Sequence, residues 1–262
     1  MKMPWGKLTG VRPTKKARKL LQEGVFQENL PKVLAKEYKI SKPKINLLLK
    51  TLKNQEIVCD DSLVDFYVNI PICPTRCQYC SFISAELKDA YKILPDYLNA
   101  LVKEINEAKK LIEEKNWQVR SIYIGGGTPS VLTAEQLDLL LQNLHFGNIE
   151  FTVECGRPDT ITTEKLEVLK KHNVTRISIN PQTFSEKTLQ KIGRQHTTLQ
   201  VFDAFREAKN LSFDINMDLI AGLPFEDYES FANSFNDVYA MKPQQLQLGF
   251  LKVLKGAYMH EM

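Results

Sequence analysis

Three cysteines fall within eight residues of the stretch YVNIPICPTRCQYCSF: Cys73, Cys77 and Cys80, spaced C-x3-C-x2-C. Thiolates at such spacing bind metal. Structural zinc takes four protein ligands, often as two CxxC pairs. No second pair exists, and His145, His172, His196 and His260 are far apart and form no ligand motif. A catalytic zinc on three cysteines and a redox thiol loop stand as alternatives. A cubane iron–sulfur cluster also takes thiolates. Held by only three, it keeps one iron open, and a small molecule can bind there; this is the preferred reading. Pro71 and Pro74 stiffen the loop. Tyr79 and Phe82 are placed to keep water off a cluster, which tunes its potential. The other two cysteines lie alone. Cys59 reads as structural. Cys155 reads as a buried strand cysteine, with a fourth cluster ligand or a hydrogen donor as the alternative.

Such a loop needs elements to hold it. Apolar, β-rich runs occur at 65–71, 120–124, 149–154, 175–180, 213–220 and 245–253, with helical patterns between them near 95–115, 133–144, 163–172, 197–210 and 227–240. The alternation predicts an α/β fold with a parallel sheet in βαβ units. Six units are too few for a closed eight-stranded barrel, so the expectation is an open, partial (β/α)6 barrel.

In such sheets function gathers at the C-terminal ends of the strands, and polar or flexible residues recur there. The cysteines follow the first run and Gly125-Gly126-Gly127-Thr128-Pro129 the second. Glu154 ends the third, and Gln182 follows the fourth. Asp218 lies in the fifth, just before Ala221-Gly222-Leu223-Pro224. Three glycines let a ligand approach bare backbone. GGGTP is no GxGxxG fingerprint, and no helix opens at the offset a dinucleotide needs; alone, it reads as a tight turn. Singly, Glu154, Gln182, Arg194 and Asp218 read as surface or capping residues. His196 reads as a satisfied polar histidine, with a proton relay beside Arg194 as the alternative.

The chain has 262 residues, 43% hydrophobic and 25% charged, too apolar for disorder and long enough to bury a sizeable core. No window approaches the roughly 18 apolar residues of a membrane helix. The N-terminus lacks an apolar signal region, and five cysteines are too few and too uneven for a disulfide framework. The expected compartment is the cytoplasm. Residues 1–60 carry 14 Lys+Arg against 5 Asp+Glu. They read as a basic helical N-terminal module, with helices at 14–24, 28–38 and 41–54, Gly24 as a stop and Ser41 as an N-cap. A β-rich IVCDD after the last helix would suit a winged-helix unit and an anionic partner. A small packing domain is the preferred account, with residues 61–262 forming the barrel; nucleic acid is not expected as a partner.

The cysteine spacing, with an aromatic before the last cysteine, resembles the radical S-adenosylmethionine (SAM) superfamily. The resemblance implies a [4Fe-4S] cluster on Cys73, Cys77 and Cys80, whose open iron chelates the amino and carboxylate groups of SAM. The reduced cluster cleaves SAM to a 5′-deoxyadenosyl radical that abstracts hydrogen from substrate. The resemblance also makes Gly126, Gly127 and Thr128 the holders of the SAM amino group.

Taken together, YVNIPICPTRCQYC, GGGTPSVL, VECGRPDT, RISINPQTF, IGRQH and NMDLIAGLP are similar, in order, to a narrower group, the oxygen-independent coproporphyrinogen III oxidases. WGKLTGVRPTKKARKLL resembles the HemZ branch of that group. This likeness implies that Tyr67 and Glu154 contact the cluster-bound SAM and that Gln182, Arg194 and Asp218 surround a second SAM or line the reaction chamber. Tyr67, Glu154 and Arg194 would then carry the chemistry, with Tyr79 beside the cofactor. It implies oxidative decarboxylation of a tetrapyrrole's propionates, with a flavodoxin- or ferredoxin-like reductase as partner. Four propionates would suit guanidinium forks, and Arg194, Arg157 and the basic module are the candidates. Arg157 reads equally as a turn residue paired with Asp159.

Departures from the group are Asn69 for a histidine, Ile72 for a phenylalanine and Ser81 for a further cysteine. The chain ends at Met262, before the group's C-terminal domain. The tail from Phe225 resembles another radical SAM branch that carries a cobalamin domain, so a fragment or a fusion is expected. Two other functions are carried alongside: a haem chaperone that keeps the cluster without decarboxylating, and nucleic-acid modification guided by the basic module.

Overall fold

Leucine and alanine at helical spacing build the N-terminal unit. Its helices are α1 (Pro13–Gln22), α2 (Leu30–Lys36) and α3 (Lys42–Asn54). Each carries proline in its first turn, where the missing N–H costs no hydrogen bond. Ala17, Leu20, Leu30, Leu34, Ile45 and Leu48 form one buried cluster, and the lysines stay outside it. Gly24 follows α1 with a φ of 94°, a stop that a left-handed residue provides. Ser41 occupies the N-cap of α3, but its side chain makes no capping bond. This computed structural model describes residues 3–9, 11–55 and 62–261; Cys59 and the run after α3 lie outside them. The chain divides into two compact units, Met1–Asp60 and Asp61–Met262.

The second unit is the α/β barrel. Its strands are β1 (Leu63–Ile70), β2 (Ile72–Cys73), β3 (Ala85–Glu86), β4 (Gln118–Gly126), β5 (Glu150–Val153), β6 (Arg176–Ser178), β7 (Asp214–Ala221) and β8 (Gln245–Phe250). Its helices are α4 (Leu87–Ala90), α5 (Leu94–Glu114), α6 (Ala134–Leu141), α7 (Thr163–Lys171), α8 (Glu186–Lys191), α9 (Thr198–Asn210) and α10 (Tyr228–Met241). Six strands form one sheet in the order β1-β4-β5-β6-β7-β8, parallel throughout. The partial (β/α)6 fold expected from the alternation is what forms. Residues Thr133, Thr162, Ser185, Thr197 and Asp227 cap α6 to α10 by accepting a hydrogen bond from a first-turn N–H.

The sheet's two faces differ. Val68, Ile70, Ile122, Ile124, Val153, Ile177, Ile215, Met217 and Leu219 pack against Leu98, Leu137, Leu166, Phe205 and Val238 of the helices in one core. The alternate residues on the other face are polar or aromatic: Asp65, Tyr67, Ser121, Tyr123, Thr152, Ser178, Asn216 and Asp218. A parallel sheet buried on both faces would read as continuous apolar runs. The alternation here leaves one face as the wall of a chamber. No described helix is long and apolar enough to cross a membrane.

Candidate cluster and cofactor site

The C-terminal strand ends meet around a cavity of ≈ 210 Å³. Cys73, Cys77, Tyr79 and Cys80 line it from the loop after β1. Gly126, Gly127 and Thr128 line it after β4, Glu154 after β5, Gln182 after β6, Arg194 after α8 and Asp218 from β7. Tyr67 is the site residue from sequence that stays outside. It stands exposed on β1, in a neighbouring crevice with Tyr97. It is linked to the cavity indirectly, through a ring stack on Tyr123 at 6.0 Å.

The cysteine loop is anchored by two buried arginines. Arg157, 2% exposed, forms a two-pronged bond to Asp159, with Nε–Oδ1 3.0 Å and Nη2–Oδ2 2.9 Å. Its Nη1 donates to the carbonyl and hydroxyl oxygens of Thr75. Arg194 Nη2 donates to the carbonyls of Gly156 and Asn180, both at 2.6 Å. Its Nη1 reaches Tyr79 Oη at 3.4 Å and Cys77 Sγ at 3.9 Å, and its Nε donates to His196 Nδ1. The main chain of the loop is tied as well: Gln78 N–H donates to the carbonyl of Ile192 and Met259 N–H to the carbonyl of Gln78, both at 2.9 Å. Arg157 as a fork for substrate carboxylates is therefore corrected, because its donors already serve Asp159 and Thr75. His196 is buried, and desolvation beside Arg194 pushes it down to about 3. Both effects favour its neutral form.

The tail, which resembled another branch, completes this anchor. Met259 packs with Tyr79, Leu189 and Ile192. Arg76 donates to the carbonyl of Gly256 at 2.8 Å and lies over the Tyr258 ring. These contacts, like Tyr123 below, escaped the sequence reading, since a lone tyrosine or a tail methionine carries no spacing signal.

The glycines are needed as glycines. A Cβ on Gly127 would lie 2.6 Å from the carbonyl oxygen of Ile72, and one on Gly126, at φ 109°, 2.0 Å from Asn69 Oδ1. Gly127 N–H donates to Ile70 and Thr128 N–H to Ile72, at 2.8 Å each. The turn thus lies flat against the strand leading to the cysteines.

Facing the loop are two carboxyl groups. Burial pushes Glu154 above its ordinary range, and Asp218 nearby adds to this. Burial also raises Asp218, whose carboxylate accepts from Asn216 Nδ2 at 2.9 Å. Tyr123 Oη donates to Glu154 Oε1. Asn180 Oδ1 and Gln182 Oε1 are buried and have no hydrogen-bond partner among the described residues. Cys155 faces away from the cavity into the core; burial pushes its thiol up to about 12. It joins neither the loop nor the chamber.

Thiol donors on one side, with carboxylates and unpaired acceptors on the other, fit a cluster beside a ligand carrying positive charge and N–H or O–H donors. Among the described residues no three His, Cys, Asp or Glu side chains are placed to hold one metal ion. A cluster that takes its thiolates on separate irons asks for no such convergence.

Comparison with known proteins places the cavity in context. The sequence profile of the radical SAM superfamily matches residues 67–238. The chain is 38% identical to the oxygen-independent coproporphyrinogen-III oxidase-like protein HemZ of Bacillus subtilis, covering 97% of this chain and 53% of that protein. It is 36% identical to the heme chaperone HemW of the same organism, covering 67% of this chain and 47% of that one. Among solved structures it resembles coproporphyrinogen III oxidase (HemN) from Escherichia coli, described as a radical SAM enzyme. The TM-score is 0.68 at 28% identity, over 75% of this chain and 46% of that one. The chain spans about half the length of the curated relatives it matches.

Proposed function

The chain belongs to the radical SAM superfamily, and on that premise we propose that it is a coproporphyrinogen III oxidase-like oxidoreductase whose chemistry resides in residues 61–262. One observation carries the reading: a single cavity gathers all three cysteines, the glycine turn and the acids Glu154 and Asp218. Cys73, Cys77 and Cys80 would hold a [4Fe-4S] cluster, with Tyr79 shielding it. Gly126, Gly127 and Thr128 would present bare backbone to SAM, and Glu154 would receive its cationic end. Gln182 and Asp218 would meet the remaining polar groups, and Tyr67 would close the outer edge. Arg194 would act on the loop side, through Cys77 and Tyr79. Cluster and SAM together supply hydrogen abstraction; the chain's own residues bind, orient and exclude water. The substrate class is a tetrapyrrole bearing propionates, and the electron comes from a small flavin or iron–sulfur protein. Oxygen-sensitive, reduced thiolates suit the cytoplasm.

A second reading has its own observation. Both buried arginines at the cavity are already bonded, and the ligand-facing acids repel carboxylates. A protein that binds haem without decarboxylating, like the chaperone relatives, would need no propionate forks at this depth. The test is direct. Reconstitute the protein anaerobically with iron and sulfide, reduce it and record its EPR spectrum with and without SAM, then assay coproporphyrinogen. A cluster signal shifted by SAM together with vinyl product supports the oxidase. A shifted signal with stoichiometric haem binding and no product selects the chaperone. A cluster blind to SAM removes both.

A further inference from the structure

Tyr123 lies on β4, paired in register with Tyr67 of β1 and Thr152 of β5. Its phenol donates to Glu154 Oε1, and its ring stacks on Tyr67 with the planes 19° apart. The space beside it is as specific. A Cβ on Gly125 would come within 2.8 Å of both Glu154 Oε2 and Tyr123 Cε1. A bare glycine, a stacked phenol and the strand β5 together therefore fix one pose of the Glu154 carboxyl.

That pose needs support. Glu154 is faced by Asp218 from β7, by Tyr67 from β1 and by Tyr123 from β4, and the Gly126 N–H donates to it. Arg194, the nearby cation, acts on Asp218 and is bonded to backbone carbonyls. A desolvated carboxyl beside a second acid is pressed to protonate, and a donor to its charged form opposes this. The phenol is the larger such donor, beside the Gly126 N–H.

We infer that Tyr123 is a positioning residue for Glu154, fixing the orientation and the charge of the carboxylate that receives the cationic end of SAM. The inference rests on the proposed function for the identity of the ligand, but the Tyr123–Glu154 link can be read without any ligand.

The test uses cluster-loaded wild type and Tyr123→Phe. Calorimetric affinity for SAM at pH 7 should fall about tenfold, the scale of one hydrogen bond to a charged group. The acid limb of binding should move to higher pH, while iron content and melting temperature hold. Gly125→Ala, whose Cβ would crowd both the Glu154 carboxylate and the Tyr123 ring, should also weaken SAM. In the ligand-free full chain, the infrared carboxyl band assigned by Glu154→Gln should titrate at higher pH in Tyr123→Phe. Unchanged affinity, pH profile and band titration in that variant would overturn the inference. If wild type binds no SAM, the proposed function falls, and the infrared titration still decides the link: a shift supports it and no shift ends it.

Discussion

The two walls of the cavity contain the same kinds of residue and use them differently. On the cysteine side, Arg157 and Arg194 are buried and bonded to Asp159, Thr75, Gly156 and Asn180. On the facing side, Glu154 and Asp218 crowd one another, and Gln182 and Asn180 leave buried oxygens unpaired among the described residues. Residue type and burial do not separate scaffold from ligand surface here; the two arginines are bonded to the loop and its supports, although Arg76 Nε and His196 Nε2 on that side also lack partners among the described residues. A satisfied buried charge holds the loop in shape. A buried acceptor without a partner, such as Gln182 Oε1, carries a cost that a ligand donor can relieve.

The sharpest way to break this contrast is to remove a thiolate. Cys77→Ala should abolish cluster incorporation and 5′-deoxyadenosine formation, measured by iron analysis and chromatography. The apo fold should hold, because the Cys77 thiol contributes only weak contacts, such as that to Arg194 at 3.9 Å. Retained 5′-deoxyadenosine would sink the assignment of the loop.

Next in size is Arg157→Leu. It leaves the half-buried Asp159 without its fork and releases Thr75 from its Arg157 bonds. Breaking a buried pair from one side costs about 3–5 kcal/mol, and urea denaturation should show it. A loss below about 1 kcal/mol would mean this wall is no more a scaffold than the other.

The pH dependence should run in opposite directions for folding and binding. Glu154 and Asp218 have carboxyl groups raised by burial, so the folded chain holds protons that the unfolded chain has released. Stability of the ligand-free protein then falls as pH rises from the unfolded carboxyl range through the raised folded values. Binding of a cation needs the ionised forms, so it is lost as pH falls through the same window. Thermal melts and SAM titrations across that window measure both slopes. Parallel slopes would show that these acids do not face the ligand.

Much of this site could be read from sequence, for identifiable reasons. The cysteine spacing, the glycine turn and the six β-runs are local patterns, and strand ends gather function in parallel sheets. They placed Cys73, Gly127, Glu154 and Asp218 at one end of the fold. Helix α8 has six residues and β2 two, too short to show a period. Arg157 and Arg194 were legible as cations and not as anchors, because burial depends on partners up to 117 residues away. Tyr123 lies in the run RSIYI, where an aromatic reads as strand propensity; its partner Glu154 follows the next strand of the sheet.

The smallest expected effect separates the walls most cleanly. Gln182 follows β6 with its backbone bonded both ways, its N–H to the Asp218 carbonyl and its carbonyl from the Ile220 N–H, at 3.0 Å each. The side-chain oxygen Oε1 has no partner among the described residues. Gln182→Met keeps much of the volume and removes a buried acceptor that earns no hydrogen bond in the empty site. Folding stability should change by less than about 1 kcal/mol, in either direction. Affinity for SAM should fall a few-fold, since a ligand donor loses its acceptor. A denaturation midpoint and a binding isotherm decide the matter together. A large stability loss with unchanged affinity would put Gln182 with Arg157 on the scaffold side. A silent midpoint with weakened binding would show that unpaired polar capacity marks the surface that meets the ligand.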